Sequence, residues 1–221
     1  MASDRIYRHF CMMARALEEV GERWSLLIVR DLLLGPRRFT DLARSLAEIT
    51  PTRLTDRLRA LEAAGIVVRE VPSAGRQVWY RLTDSGRDLE PVVDALTLWG
   101  IGHARQAPLP GEPVHPDPVM IGTKVWLNRR GGRPAEAVVW EWRFPGDDYY
   151  TLRLQGDCWK LARGHAEGAT VTVDTTPETW ARFLTAPPEA RRLPGDDVRL
   201  VGSRAAARAF ARAFGAQLDP A

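Results

Sequence analysis

The chain has 221 residues, 45% hydrophobic and 27% charged, with a net charge of +3 at pH 7. That length accommodates one large domain or two small ones, and the near-balanced charge excludes a polycation, so any affinity for nucleic acid must rest on local placement of charge. Two cysteines, Cys11 and Cys158, exclude a disulfide framework and a CxxC zinc site; with no apolar run in MASDRIYRHF and none long enough for a membrane span, a reducing, cytoplasmic location and no membrane partner are expected.

Cys11, Ala14, Leu17 and Val20 share one helical face, and Gly21 ends that run. Trp24, Leu27, Ile28 and Leu32 mark a second helix, stopped by Gly35-Pro36. Thr40 is expected to cap a third, with Leu42, Ala43 and Leu46 inward. Thr50 is expected to cap a fourth, with Pro51 at the first helical position, Leu54, Leu58 and Leu61 buried, and Gly65 closing it. Val67–Val71 and Gln77–Leu82 are β-rich, and Pro72-Ser73-Ala74-Gly75 between them is turn chemistry, which predicts a hairpin. From Thr83 or Asp84 a long helix follows, with Leu89, Val92, Val93, Leu96, Trp99, Gly100 and His103 on one side and Pro91 inside the pattern as a kink. This is a winged helix-turn-helix pattern.

Residues 106–118 hold five prolines and read as a stiff linker between a domain at 1–105 and another at 119–221. The second half reads α+β. Val119–Leu127 predicts a short amphipathic helix. Period-two runs then place Val138, Trp140, Trp142 and Phe144 on one face of a strand, with Val139, Glu141 and Arg143 on the other. Tyr150/Leu152/Leu154, Trp159/Leu161 and Val171/Val173 continue the pattern. A mostly antiparallel sheet with one apolar face results, covered by helices bearing Trp180, Phe183 and Leu184, and Phe210 and Phe214.

On the Pro51–Ala63 helix, the buried leucines turn Thr52, Arg53, Thr55, Asp56, Arg57 and Arg59 outward. A helix presented in this way suits the DNA major groove. Arg53 could grip a guanine through its two acceptors, a contact worth about 1–3 kcal/mol of discrimination. Arg57 lies one turn on, within reach of a base or a phosphate. Arg38, Thr40 and Thr50 are expected to touch the duplex, chiefly at phosphates, and Arg76 at the hairpin tip to enter a minor groove or touch the backbone; these positions should carry the salt dependence. A basic residue on a helix also serves simply to solvate that face; the capped helix pair together with the hairpin favours DNA.

The run LEEVGERWSLLIVRDLLLGPRRFTDLARSLAEITPTRLTDRLRALEAAGIV, with YRLTDSGRDLEPVVDALTLWG after the wing, closely resembles the HxlR family of bacterial winged-helix transcription regulators, relatives of the MarR group. The resemblance covers nearly all of residues 7–103. It implies double-stranded operator DNA as a partner and a homodimer built from the N-terminal segment and the helix after the wing. Here those positions are Cys11, Leu89, Val93, Leu96 and Trp99. Two half-sites would then lie about 34 Å apart or a multiple of that. Cys11 falls where many members carry a cysteine, some of them responsive to oxidants. Arg8, His9 and Arg15 are its basic sequence neighbours; the alternative is a small buried hydrophobe.

The second half more faintly resembles the sterol-carrier-protein type 2 fold, in strand order, in LQGDCWKLARGHAEGATVTVDTTPETWARFLT and in VRLVGSRAAARAFARAF. That resemblance implies a small apolar ligand. Any cavity is expected to be lined by Trp126, Trp140, Trp142, Phe144, Tyr150, Leu152, Trp180 and Phe183, with Glu141 and Arg143 facing away; the same aromatics would equally serve as core. The four histidines are scattered among unlike elements, and no nucleophile elbow, HExxH or phosphate loop occurs. Asp147-Asp148 and Asp196-Asp197 read as turns. No enzyme activity, cofactor or metal is therefore expected. The expected function is a ligand-controlled regulator. Its alternatives are a regulator whose second domain only oligomerises, and a lipid carrier or enzyme domain fused to a winged-helix interaction module.

Overall fold

The computed structural model describes residues 7, 9–46, 48–71, 77–103, 106–130, 134, 138–195 and 197–219. The chain forms two compact units, Met1–Asp94 and Ala95–Ala221.

The first unit contains α1 (Met12–Val20), α2 (Ser25–Leu32), β1 (Arg37–Arg38), α3 (Phe39–Ser45), α4 (Pro51–Ala63), β2 (Val67–Glu70), β3 (Trp79–Leu82), α5 (Asp84–Arg87) and the start of α6 (Glu90–His103). Its core joins Ile28, Val29 and Leu32 of α2, Leu42 of α3 and Leu54, Leu58 and Leu61 of α4 to Val67, Leu82 and Val93. The hairpin is antiparallel, Val67 opposite Leu82 and Glu70 opposite Trp79. Arg37 and Arg38 add a third strand against Tyr80 and Trp79, which no period-two run announces.

Local chemistry sets the boundaries. Gly65 takes φ +70 past the end of α4, which lets the Ile66 N–H reach back to the Leu61 carbonyl at 2.9 Å. Thr83 donates to the Gly65 carbonyl at 2.6 Å and accepts from the Gly86 N–H at 3.0 Å, so one hydroxyl ties the end of α4 to the cap of α5. Gly86 must be glycine, because a Cβ there would sit 2.2 Å from the Ile66 carbonyl oxygen. The long helix expected after the wing is two helices, α5 and α6. Pro91 is the second residue of α6; it has no N–H, and its ring would clash with the carbonyl of Arg87, where α5 ends. At α3 the N-cap is Arg38, not Thr40: the Asp41 carboxylate accepts from the Arg38 backbone N–H at 3.1 Å, and Thr40 lies inside the first turn.

The second unit runs from Ala95 through the rest of α6 to α7 (Pro116–Arg130), β4 (Val139–Phe144), β5 (Asp148–Gln155), β6 (Cys158–Arg163), β7 (Val171–Asp174), α8 (Pro177–Thr185), a 3-10 turn (Pro188–Ala190), β8 (Arg192–Leu193), β9 (Arg199–Gly202), α9 (Arg204–Phe214) and β10 (Gln217–Leu218). The main sheet has the order β6-β5-β4-β7-β9. Every pairing in it is antiparallel except β4 with β7. Trp140 and Trp142 of β4 face the same side as Leu152 and Tyr150 of β5 and Val171 and Val173 of β7. α7 packs against β5 and β6, and α9 against β7 and β9.

Two boundaries differ from the sequence reading. The units divide between Asp94 and Ala95, inside α6, because Leu89 and Val93 pack into the first core. The last residues of the expected linker belong to α7. Asp117 there is buried and receives the Tyr150 hydroxyl at 2.7 Å and the Arg163 guanidinium at 2.8 Å. α7 is buried nearly all round at Met120, Ile121, Thr123, Lys124, Val125, Trp126 and Leu127, so it is not an amphipathic surface helix.

Candidate nucleic-acid interface

α4 starts where Thr50 accepts the Arg53 N–H at 3.4 Å, and Pro51 follows as its first residue. Leu54, Leu58 and Leu61 are 0%, 2% and 0% exposed, which fixes the rotation of the helix. Thr52, Arg53, Asp56 and Arg59 are exposed as a result, and Thr55 and Arg57 are half-buried. Arg53 makes no ion pair among the described residues. The Arg57 guanidinium lies 3.9 Å from Glu22, just ahead of α2. The Thr55 hydroxyl donates to the Pro51 carbonyl at 2.9 Å, and the Thr50 hydroxyl is engaged as the cap.

Arg38 is held by Asp41 through Nε at 3.0 Å and a second guanidinium nitrogen at 3.1 Å, and sits over the Trp79 ring at 5.7 Å. Partial burial disfavours the charged Asp41 carboxylate, but the hydrogen bonds and charge of Arg38 outweigh it and hold the pKa below the usual carboxylate range. A salt-bridged Arg38 can still offer an outer N–H to phosphate. Arg76 lies outside the described residues. Sequence reasoning missed Asp41 and Glu22 as the partners that hold Arg38 and Arg57. The i,i+3 spacing of Arg38 and Asp41 was a readable signal; the Arg57–Glu22 pair, formed across the fold, had none.

A family model described as HxlR-like helix-turn-helix matches residues 19–108. An uncharacterised HTH-type transcriptional regulator of Methanothermobacter thermautotrophicus is 38% identical over 93 residues, which are 42% of this chain and 71% of that protein. The chain belongs to the HxlR-like helix-turn-helix family. An uncharacterised HTH-type regulator of Mycobacterium tuberculosis strain H37Rv is 49% identical over 90 residues; the match takes in 40% of this chain and 56% of that protein, about half its length. Among solved structures, the redox regulator HypR in its oxidised form is 37% identical over 42% of this chain and 97% of its own, with a TM-score of 0.41. The reduced form of the transcriptional regulator YodB from B. subtilis is 32% identical over 43% and 95%, with a TM-score of 0.39. As an HxlR-like protein, the chain is a DNA-binding transcription regulator of the helix-turn-helix type.

In this HxlR-like chain the stripe expected at a dimer interface divides. Val93 is 4% exposed within the first core and Leu89 packs against it. Those two are therefore core residues. Val92, Leu96 and Trp99 form the exposed stripe instead, at 44%, 53% and 61%. Cys11 is a half-buried free thiol at the N-cap of α1. Of its basic neighbours, Arg15 lies over the Phe10 ring at 4.9 Å, His9 meets the Tyr7 ring edge-on, and Arg8 is outside the described residues.

Within the second unit, Trp140, Trp142, Phe144, Tyr150, Leu152, Trp180 and Phe183 fill the core. Trp140 stacks on Trp159 at 4.3 Å, Trp180 on Phe183 at 4.7 Å, and Trp142 meets Trp180 edge-on at 5.4 Å. These rings pack against one another and fill the space between sheet and helices. A cavity of about 230 Å³ lies elsewhere in the unit, and of the eight expected lining residues it takes only Trp126. α6 contributes Gly100 and Ile101 to it, α7 Pro118, Val119 and Gly122 beside Trp126, and α8 Ala181, Leu184 and Thr185.

On the opposite face of the sheet, Arg143 is exposed as expected but Glu141 is 1% exposed. The segment after β6 covers Glu141: the Ala166 N–H donates to its carboxylate at 2.7 Å, Arg143 at 2.6 Å, and His165 lies 3.5 Å away. Burial raises its pKa, but these donors prevail and hold it below the usual range. Among the described residues no group of three His, Cys, Asp or Glu side chains is placed to hold a metal ion, and no helix is long and apolar enough to cross a membrane.

Proposed function

We propose that the protein is a homodimeric regulator that reads a specific operator through α4 and answers to a small apolar ligand in its second unit. The observation that carries the reading is the rotation of α4. Its three core leucines leave Thr52, Arg53, Asp56 and Arg59 facing solvent, with Thr52 and Arg53 near the end that enters a major groove. Arg53 reads base edges, and Arg57, loosely restrained by Glu22, reaches a base or a phosphate. Arg38, Thr40 and Arg76 supply backbone contacts, whereas Thr50 acts chiefly by capping the reading helix.

The exposed apolar stripe Val92, Leu96 and Trp99 supports a two-fold dimer through α6, and the exposed Phe10, Met12 and Met13 support a contribution from the N-terminal segment. The layering of α7 and α9 on a five-stranded sheet supports a sterol-carrier-like second unit, and its cavity favours ligand control over a purely structural role. A ligand that shifts the spacing of the two reading helices needs a coupling of only about 1–3 kcal/mol.

A mobility shift with DNA from upstream of its own gene tests the DNA reading. Arg53→Ala is expected to lower specific affinity by about 1–3 kcal/mol while salt-sensitive, sequence-independent binding remains. Equal loss on specific and random DNA would reassign Arg53 to phosphate.

A further inference from the structure

We propose that the 230 Å³ cavity of the second unit binds a neutral, planar aromatic molecule of one or two rings. This rests on the reading that the second unit carries a ligand, and gives that ligand a place and a chemistry.

Two helical glycines motivate it. Gly122 lies in the middle of α7 and Gly100 within α6, and both line the cavity. Neither has a positive φ, and a Cβ built on either meets nothing within 4 Å. Backbone geometry and close packing, the usual reasons for glycine, are thus both absent, while glycine inside a helix is a cost to stability. What the two missing side chains leave is space. Val119, Gly122 and Trp126 follow one face of α7 at helical spacing, so the open position lies between two apolar walls.

The lining selects the ligand. No charged side chain borders the cavity, which is half open to solvent, so an ion seated in it would give up part of its hydration without a partner. An apolar cavity of roughly 150 Å³ holds benzene, which scales this one to one or two rings. Trp126 is held rigidly, stacked on Phe214 at 5.3 Å with the Arg191 guanidinium 5.0 Å from its ring centre. The Thr185 hydroxyl donates to the Ala181 carbonyl at 2.9 Å, which leaves its oxygen lone pairs to accept from one ligand hydroxyl.

Calorimetric titration of the full chain with 1-naphthol, and in parallel with 1-naphthoate, tests the site. Saturable binding of one naphthol per chain is expected, with the carboxylate at least about tenfold weaker because its charge would be buried unpaired. Gly122→Leu fills the space and is expected to weaken naphthol binding at least about tenfold, with a melting temperature equal to or above that of the unaltered chain. Gly122→Ala, the milder change, should stabilise as well and weaken binding less. Absence of naphthol binding, or binding untouched by Gly122→Leu, overturns the proposal. So does conversion of a dimer to a monomer by Gly122→Leu, which would make a second copy the occupant. If naphthol binds as expected yet leaves the operator shift unchanged, the site stands and ligand control of DNA binding falls.

Discussion

Glu141 illustrates how a single side chain can defy strand periodicity. Alternation assigns it correctly to the face opposite Trp140 and Trp142, yet it is nearly inaccessible. Its burial comes from a loop, and loops leave no periodic trace in a sequence. The carboxylate is stabilised by an amide N–H, by Arg143 and by His165, so its pKa is depressed in the folded chain. A depressed acid contributes stability in full above its unfolded value of 4.5 and loses that contribution as pH falls through the lower folded value. Urea midpoints measured between about pH 3 and pH 6 should therefore fall more steeply with acid for the unaltered chain than for Glu141→Gln. Parallel curves would show that the carboxylate is no better held in the folded state than in the unfolded one. Asp117 carries the same lesson. Lying in a proline-rich stretch, it reads as linker, and only the fold reveals that it gathers Tyr150 and Arg163 across the second unit. Burial first, and then the neighbouring Asp117 carboxylate, push the Tyr150 phenol far above its ordinary pKa, so it stays protonated and donates to Asp117.

Helices of the first unit were legible because each has chemical punctuation: Pro51 after Thr50, Gly65 after Ala64, and Thr83 before Asp84. Where two rules competed, the strand or helix pattern alone did not decide. At α3, Thr40 looked like a cap, but the Asp41 carboxylate reaching back to Arg38 won. After the wing, apolar spacing ran straight through Pro91, and the missing N–H broke the helix. Val92 faces outward, while Leu89 and Val93 pack into the first core. At α4 the cap bond is long, 3.4 Å, and solvent-exposed. Thr50→Ala should therefore cost about 0.5–1 kcal/mol, the lower part of the range for caps, and Thr50→Asp should restore it. Thermal melts of the three proteins would check this; a Thr50→Asp chain as unstable as Thr50→Ala would remove capping as the role of Thr50.

At the scale of the whole molecule, the chain forms two compact units, and the proposed function gives each its own duty. The proposed dimer has a direct consequence. A double variant, Leu96→Asp with Trp99→Asp, should sediment as a folded monomer, since both side chains are already exposed. Val93→Asp should instead unfold the first unit by placing a charge in the buried core that Val93 shares with α2, α3 and α4. A double variant that sediments like the unaltered chain would move the interface elsewhere. The sequence by itself determined the winged-helix order, the outward face of α4 and the alternating apolar strands, because each follows from spacing along a short stretch of chain; the family came from resemblance over a long run. Only the tertiary structure decided that the aromatic face is a filled core, that the open space lies beside Gly122 and Trp126, and that Glu22 lies near Arg57 and Asp117 holds Arg163. The physical reason is range. Periodicity and capping act within a few residues, whereas a cavity or a buried charge pair depends on which distant elements pack together.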